Sequence, residues 1–354
     1  MTGLCTQPPA IRPARYLALL TVVAALLHAA CVGNNDHVRE FVAFGTLVSV
    51  SIYGADEQQA ANAIGQLERR FAELGTAWYP KADGELKAAN AAIAQGKPAH
   101  VSSELKSLLQ DAARYEQLAG GLFNVCLGNL SQLWGFYDLP ASPASLPDPA
   151  TLAAVLASNP SATQLSWQGL ELSSSNPHVM LDIGAIAKGA ILNIAARELK
   201  TAGLENAIVN IGGDLIVLGD VHGRDANIGI RDPSGGRPVA SLQVANGEAV
   251  FTSGNYERYV DIDGQRYTHI LDPATGYPVQ HTASVTVVHE DPVLADAAAT
   301  ALLVGGAPQF DRLVAAFALR DALLIPARGD ARLTAHMAAR LHWQEPDHQE
   351  PALD

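Results

Sequence analysis

Cysteine is scarce: Cys5, Cys31 and Cys126 are the only three in 354 residues. They make no CxxC pair, which excludes a disulfide framework, and no thiolate or histidine cluster is spaced for zinc. Cys126, between Val125 and Leu127, has the setting of a small buried hydrophobe. Positive charge is also short. Lys and Arg number 23 against 36 Asp and Glu, a formal charge of −13. That balance counts against non-specific binding to nucleic acid and against a general attraction to anionic lipid. A phosphate ligand would then need a local cation, and a metal ion is the natural one. No GxGxxG follows a strand, which counts against a Rossmann enzyme. Internal repeats are absent too. What is present, 48% apolar and 17% charged residues, fits a globular chain with a large core in one or two domains.

The amino-terminal segment has the parts of an export signal. Arg12 and Arg15 precede the apolar run Tyr16 to Leu27, which is too short for a comfortable membrane span. Ala29-Ala30-Cys31 resembles a bacterial lipobox, with His28 where leucine is usual. The expectation is a signal over 1–30, a tether over 31–40, a main domain over 41–327 and a tail over 328–354 that is helical through His336 to Leu341, then acidic and loose, with no role assigned. The chain would then work on the periplasmic side of a bacterial membrane, anchored through lipid on Cys31. The alternative is plain cleavage that leaves Cys31 an ordinary thiol.

The chain is organised around Met180 to Gly213, MLDIGAIAKGAILNIAARELKTAGLENAIVNIGG. Val179-Met180-Leu181 has the pattern of a strand end, followed by Asp182 and the small turn Gly184-Ala185. Ala187, Ala190, Ile191, Ile194, Ala195 and Leu199 recur at helical spacing, and Gly203 sits where a helix stops. A strand over Ala207–Ile211 then meets Gly212-Gly213. Helix N–H groups beside residues without side chains suit an anion, although plain packing explains such a stretch as well.

Before it, Phe41 to Tyr53 alternates like one strand. Asp56 is placed to cap a helix over Glu57–Leu74, and Ser102 or Ser103 to start another. The aromatics Trp134 and Phe136 serve either as core or, with Trp78 and Phe123, as a wall for a flat ring. After it, short alternating strands and then helices indicate an α+β fold with mixed sheets and packed helices.

Two further stretches hold chemistry. In FTSGNYERYVDIDGQRYTHILDPATGYPV, Asp263-Gly264 is a hairpin turn that delivers His269, Leu271 and Asp272. An imidazole suits proton transfer near neutral pH, while Asp272 has the setting of a turn cap. In the alanine-rich ADAAATALL, Asp296 and Thr300 share one helix face. Their oxygens suit Mg²⁺, and helix capping or back-bonding explains the same spacing.

Together these stretches resemble the FAD:protein FMN transferase family, the ApbE type. LDIGAIAKG with VNIGGDLIVLG, TSGNYERY with HILDPATGYPV, and SVTVV with ADAAATALLVGG carry the resemblance. AFGTLVSVSIYG and GGLFNVCLGNLSQLWGF are weaker echoes, and the match runs in the family's order from Phe41 to Gly306. It implies a two-lobed fold, FAD as substrate and Mg²⁺ as cofactor. Asp182 and Lys188 would contact FAD, and Leu271 would meet it through main chain. Phe44, Trp78 and Leu122-Phe123-Asn124 match positions around the flavin and adenine. Ala185 (through its carbonyl), Asp296 and Thr300 would hold the metal. His269 matches the histidine of transfer, with Asp296 the other candidate to accept a proton. Phe44 replaces the usual methionine, Asn124 replaces an aspartate, and the register leaves Tyr79 as the alternative to Trp78. The implied reaction moves FMN from FAD to a threonine of an acceptor, a subunit of an exported or membrane redox complex, and releases AMP. Alternatives on the same site are an FAD pyrophosphatase and a non-catalytic flavin-binding lipoprotein.

Overall fold

A computed structural model describes residues 36–138 and 145–344. The export signal, Cys5 and Cys31 lie outside the described residues. Strand β1 (Asp36–Ala43) pairs antiparallel with β2 (Thr46–Tyr53). One strand was expected here, and two form because Phe44 and Gly45 take φ of 55° and 72° and turn the chain in two residues. Phenylalanine gives no warning of this, since a left-handed non-glycine is uncommon. Strand β1 also begins inside the segment expected to be a tether, because its pairing with β2 reaches back to Asp36.

Asp56 caps α1 (Glu57–Ala77) by accepting from the N–H groups of Gln58 and Gln59. Next come α2 (Glu85–Ala94), β3 (Ala99–His100) and α3 (Ser103–Ala119), the last capped by Ser102. The short helices α4 (Gly128–Leu133) and α5 (Pro149–Ala157) precede β4 (Leu165–Gln168) and β5 (Glu171–Ser174), which join β3 in a small sheet. Val179-Met180-Leu181 makes no strand; Met180 forms a single bridge to Leu127 and the segment is buried as irregular chain. Helix α6 (Ala187–Thr201) leads into the hairpin β6 (Ala207–Ile211) and β7 (Asp214–Leu218).

The remaining elements are β8 (Ala226–Arg231), β9 (Pro238–Val244), β10 (Ala249–Gly254), β11 (Tyr259–Ile262), β12 (Gln265–Thr268) and β13 (Thr282–His289). They are followed by α7 (Pro292–Ala316), β14 (Asp321–Pro326), β15 (Arg332–Leu333), α8 (Ala335–Arg340) and β16 (His342–Trp343). Eight strands form one antiparallel sheet in the order β1-β2-β6-β7-β10-β13-β14-β15.

The sheet is covered on both faces, and β7 shows why. Its unbroken apolar run sends Ile216 and Leu218 into a core shared with α1, α6 and α7. Leu215 and Val217 enter a second core under β8, β9 and α8. The class is α+β, as expected. Helix α7 is apolar enough by composition to cross a membrane, but 67% of its apolar window is buried inside the protein. It is the helix against which the main core is built.

The helix expected over His336 to Leu341 is α8, and the described part of the tail packs against the rest of the protein. Met337 is fully buried, and Arg340 donates to Glu248, to Asp321 and to the Gln243 carbonyl. Among the described residues of this segment, Met337 and Leu341 are buried in the second core and Ala331 and Leu333 pack partly buried beside them.

Candidate functional site

The site starts where α6 meets α7. The residue before α6, Ile186, has no side chain able to cap it. Asp296 of α7 does so from across the fold: its Oδ2 accepts the Gly189 N–H at 2.9 Å. Gly189 lies in the first turn of the helix, where N–H groups have no intrahelical partner, and Asp296 satisfies this one; the Ala185 carbonyl sits on the turn just before the helix. The approach is close enough to demand glycine. A Cβ on Gly189 would lie 2.4 Å from the Pro292 carbonyl oxygen and 2.7 Å from the Val293 Cα.

Asp296 is 4% exposed, and burial pushes its carboxyl up to about 7, against the pull of Lys188. Thr300, one turn on, is half-buried with its Oγ1 3.4 Å from the hydroxyl of Ser253 on β10. Lys188, at the start of α6, is ion-paired with Asp214 at the start of β7. Burial works against the lysine's charge, yet the carboxylates of Asp214, Glu257 and Asp296 hold its pKa above the ordinary range. Asp214 is 2% exposed and also accepts the Thr252 N–H at 2.8 Å. A buried aspartate opening the strand DLIVL is a chemical anomaly in the sequence, and it was not singled out.

The donor set fits a hard cation. It is a buried carboxylate, a hydroxyl and a main-chain carbonyl, all oxygen. Among the described residues no group of three or more His, Cys, Asp or Glu could hold a metal. The set therefore suits an ion that keeps waters and leans on a ligand's phosphates, and does not suit zinc.

A second group of residues borders this centre. Asp182 accepts from the Tyr137 hydroxyl at 2.7 Å and from the Gly184 N–H at 3.0 Å, which fixes the loop leading to Ala185. Tyr137 meets the edge of Tyr79, with ring centroids 6.2 Å apart. Phe44, at the β1–β2 turn, rests on Phe71 and gives its carbonyl to Arg258 at 3.0 Å. His269 follows β12; its Nδ1 lies 3.2 Å from the Arg258 carbonyl, and its ring meets Phe136 edge-on. Leu271 bridges to Pro278 and packs with Trp134 and Phe136. Asp272 caps its own turn, accepting from the Ala274 N–H and the Thr275 hydroxyl.

Other expected contacts are placed differently. Trp78 is 6% exposed and its indole N–H is committed to Glu85 at 2.9 Å. The adjacent Tyr79, the register alternative, is 41% exposed and presents its ring beside Tyr137. Phe123 is 1% exposed and belongs to the main core. The Asn124 side chain is held by the Pro160 carbonyl and the Cys126 N–H, and Leu122 packs near Gly305 of α7. These three offer a ligand main chain more readily than side chains. Trp134 and Phe136 are core, with the Trp134 indole bonded to the Gly276 carbonyl. Cys126 is buried, as its apolar neighbours imply.

His269 allows a test that needs no ligand. Burial, then the Arg258 charge, bring its pKa down to about 4 from the ordinary 6.5. The fold thus favours the neutral ring. Its contribution to stability is complete above pH 6.5 and is lost as pH falls toward 4. His269→Gln should remove that part of the acid sensitivity. Urea denaturation at pH 7.5 and pH 5 should show the wild type losing more stability than the variant; parallel losses would contradict the assignment.

Comparison with known proteins identifies the family and the fold. The sequence model of the ApbE family matches residues 44–324. An FAD:protein FMN transferase of Rhodobacter capsulatus is 39% identical over 94% of this chain, which spans 63% of that protein's length. Another from Treponema pallidum is 32% identical, over 92% of this chain and 95% of its own. The crystal structure of the ApbE protein of Thermotoga maritima superposes with a TM-score of 0.78 at 27% identity, covering 86% of this chain and 99% of its own. The flavin transferase ApbE of Vibrio cholerae gives 0.76 at 26% identity, over 87% and 99%.

Proposed function

Since the chain belongs to the ApbE family, we propose that it moves FMN from FAD to a threonine hydroxyl of an acceptor protein, in a Mg²⁺-dependent reaction that releases AMP. The observation that carries this is the junction of α6 and α7: the buried carboxylate of Asp296 on one helix is held by the Gly189 N–H in the first turn of the other. Asp296, Thr300 and the Ala185 carbonyl would hold Mg²⁺, which supplies charge neutralisation at the phosphoryl oxygens.

The chain's own residues do the rest. Lys188, fixed by Asp214, aims a cation at the same junction. The Nδ1 of His269 faces a carbonyl, which assigns the ring hydrogen to that nitrogen and leaves Nε2 as the acceptor. With a pKa near 4 the ring is neutral at working pH and free to take the threonine proton. The threonine oxygen bonds to the phosphorus on the FMN side, the bond from that phosphorus to the bridging oxygen breaks, and AMP leaves with the electron pair. Asp296, committed as a ligand, is the weaker choice for the base. Tyr79, Tyr137 and Phe44 line the approach and help to exclude water, which would otherwise compete for the phosphorus. Acceptors on this reading are exported or membrane redox subunits met on the periplasmic side, the location that the segment before Cys31 favours.

The test is mass spectrometry of a candidate acceptor after incubation with the protein, FAD and Mg²⁺. The expected result is one FMN phosphodiester on a threonine and one AMP per label. AMP at full rate with no acceptor present would make the protein a pyrophosphatase. Tight FAD binding with neither product would make it a carrier.

A further inference from the structure

The two cations of the site stand in different states. Lys188 is neutralised by Asp214. Arg258, on the segment between β10 and β11, has no ion pair with a carboxylate among the described residues; its Nη2 donates to the Phe44 carbonyl. That bond uses one edge of the guanidinium and leaves the other donors open. The position is built. Phe44 turns its carbonyl toward Arg258 at a left-handed residue, and Gly45 keeps the space clear. A Cβ on Gly45 would come within 2.9 Å of Nη2. The charge is felt by Tyr79, by His269 and by the carboxylate of Glu257, and Lys188 is felt by His269 and Glu257 as well. His269 thus lies within the field of two cations in a chain whose formal charge is −13.

We propose that Arg258 is a substrate-binding residue whose guanidinium takes a phosphoryl oxygen of the bound flavin dinucleotide, across the site from Lys188. It makes the site select a phosphate-bearing flavin over the bare isoalloxazine and ribityl chain. Planar N–H pairs match phosphate oxygens better than a lysine would, which accounts for arginine here. This rests on the flavin-dinucleotide reading given above.

Binding of FAD and of riboflavin to the full chain, with Mg²⁺ present and followed by flavin fluorescence, tests it. Arg258→Ala should weaken FAD binding about ten- to a hundredfold, the effect of losing a charged hydrogen bond. Riboflavin affinity should stay the same. Arg258→Gln, which retains an N–H donor for the Phe44 carbonyl, should lose FAD affinity to a similar extent, separating the charge from any change in the turn. Arg258→Lys should recover part of it. Added salt should weaken FAD binding to the wild type more than to the alanine and glutamine variants. FAD affinity within threefold of wild type in the folded Gln variant, or an equal loss for both flavins, would overturn the proposal. A wild type that binds riboflavin and FAD equally well would also overturn it, whereas one that binds neither would overturn the flavin reading itself.

Discussion

Asp296→Asn is expected to lower flavin transfer by about a thousandfold or more, since on the proposed Mg²⁺ reading several kcal/mol of charge stabilisation at phosphorus would depend on that carboxylate. The fold should survive. Asparagine keeps the shape and an oxygen that can accept the Gly189 N–H, now 2.9 Å from Oδ2. It also removes a buried negative charge that lies close to Asp214. In the absence of metal, the variant should therefore melt at or above the wild-type temperature. Transfer rates measured against Mg²⁺ concentration, beside thermal melts of the metal-free protein, separate the two effects. Transfer within tenfold of wild type would remove Asp296 from the metal role.

Gly189→Ala should damage both stability and activity with one methyl group. The added carbon meets backbone, the Pro292 oxygen and the Val293 Cα, which cannot rotate away as a side chain would. Overpacking of this kind costs about 1–3 kcal/mol and more where backbone must shift. Separation of α6 from α7 would also pull the Gly189 N–H off Asp296 and move the Ala185 carbonyl relative to it. Chemical denaturation and the apparent Mg²⁺ affinity should worsen together. A normal Mg²⁺ response in a destabilised variant would show that the helix contact and the site are independent.

Features set by neighbours in sequence were legible before any coordinates. Asp56 and Ser102 cap the helices that follow them, and Asp263-Gly264 turns the hairpin that carries His269. The pairing of Asp296 with Thr300 follows from helical spacing. Contacts made over long loops were not legible. Asp296 reaches Gly189 over 107 residues and Arg258 reaches Phe44 over 214. No local pattern encodes either. The turn at Phe44 was hidden by its residue type, and Trp78 and Tyr79 could not be told apart because both end the same helix. Only the fold shows which ring is inside.

On the proposed reading, the bond between Asp296 and Gly189 would make one carboxylate serve two masters, the register of a helix and the grip on an ion. Any ligand that prefers the docked arrangement must, by reciprocity, stiffen the first turn of α6, and any strain that frays that turn must loosen the ligand. Substrate loading and structural order at the centre of this protein are thus two faces of a single equilibrium.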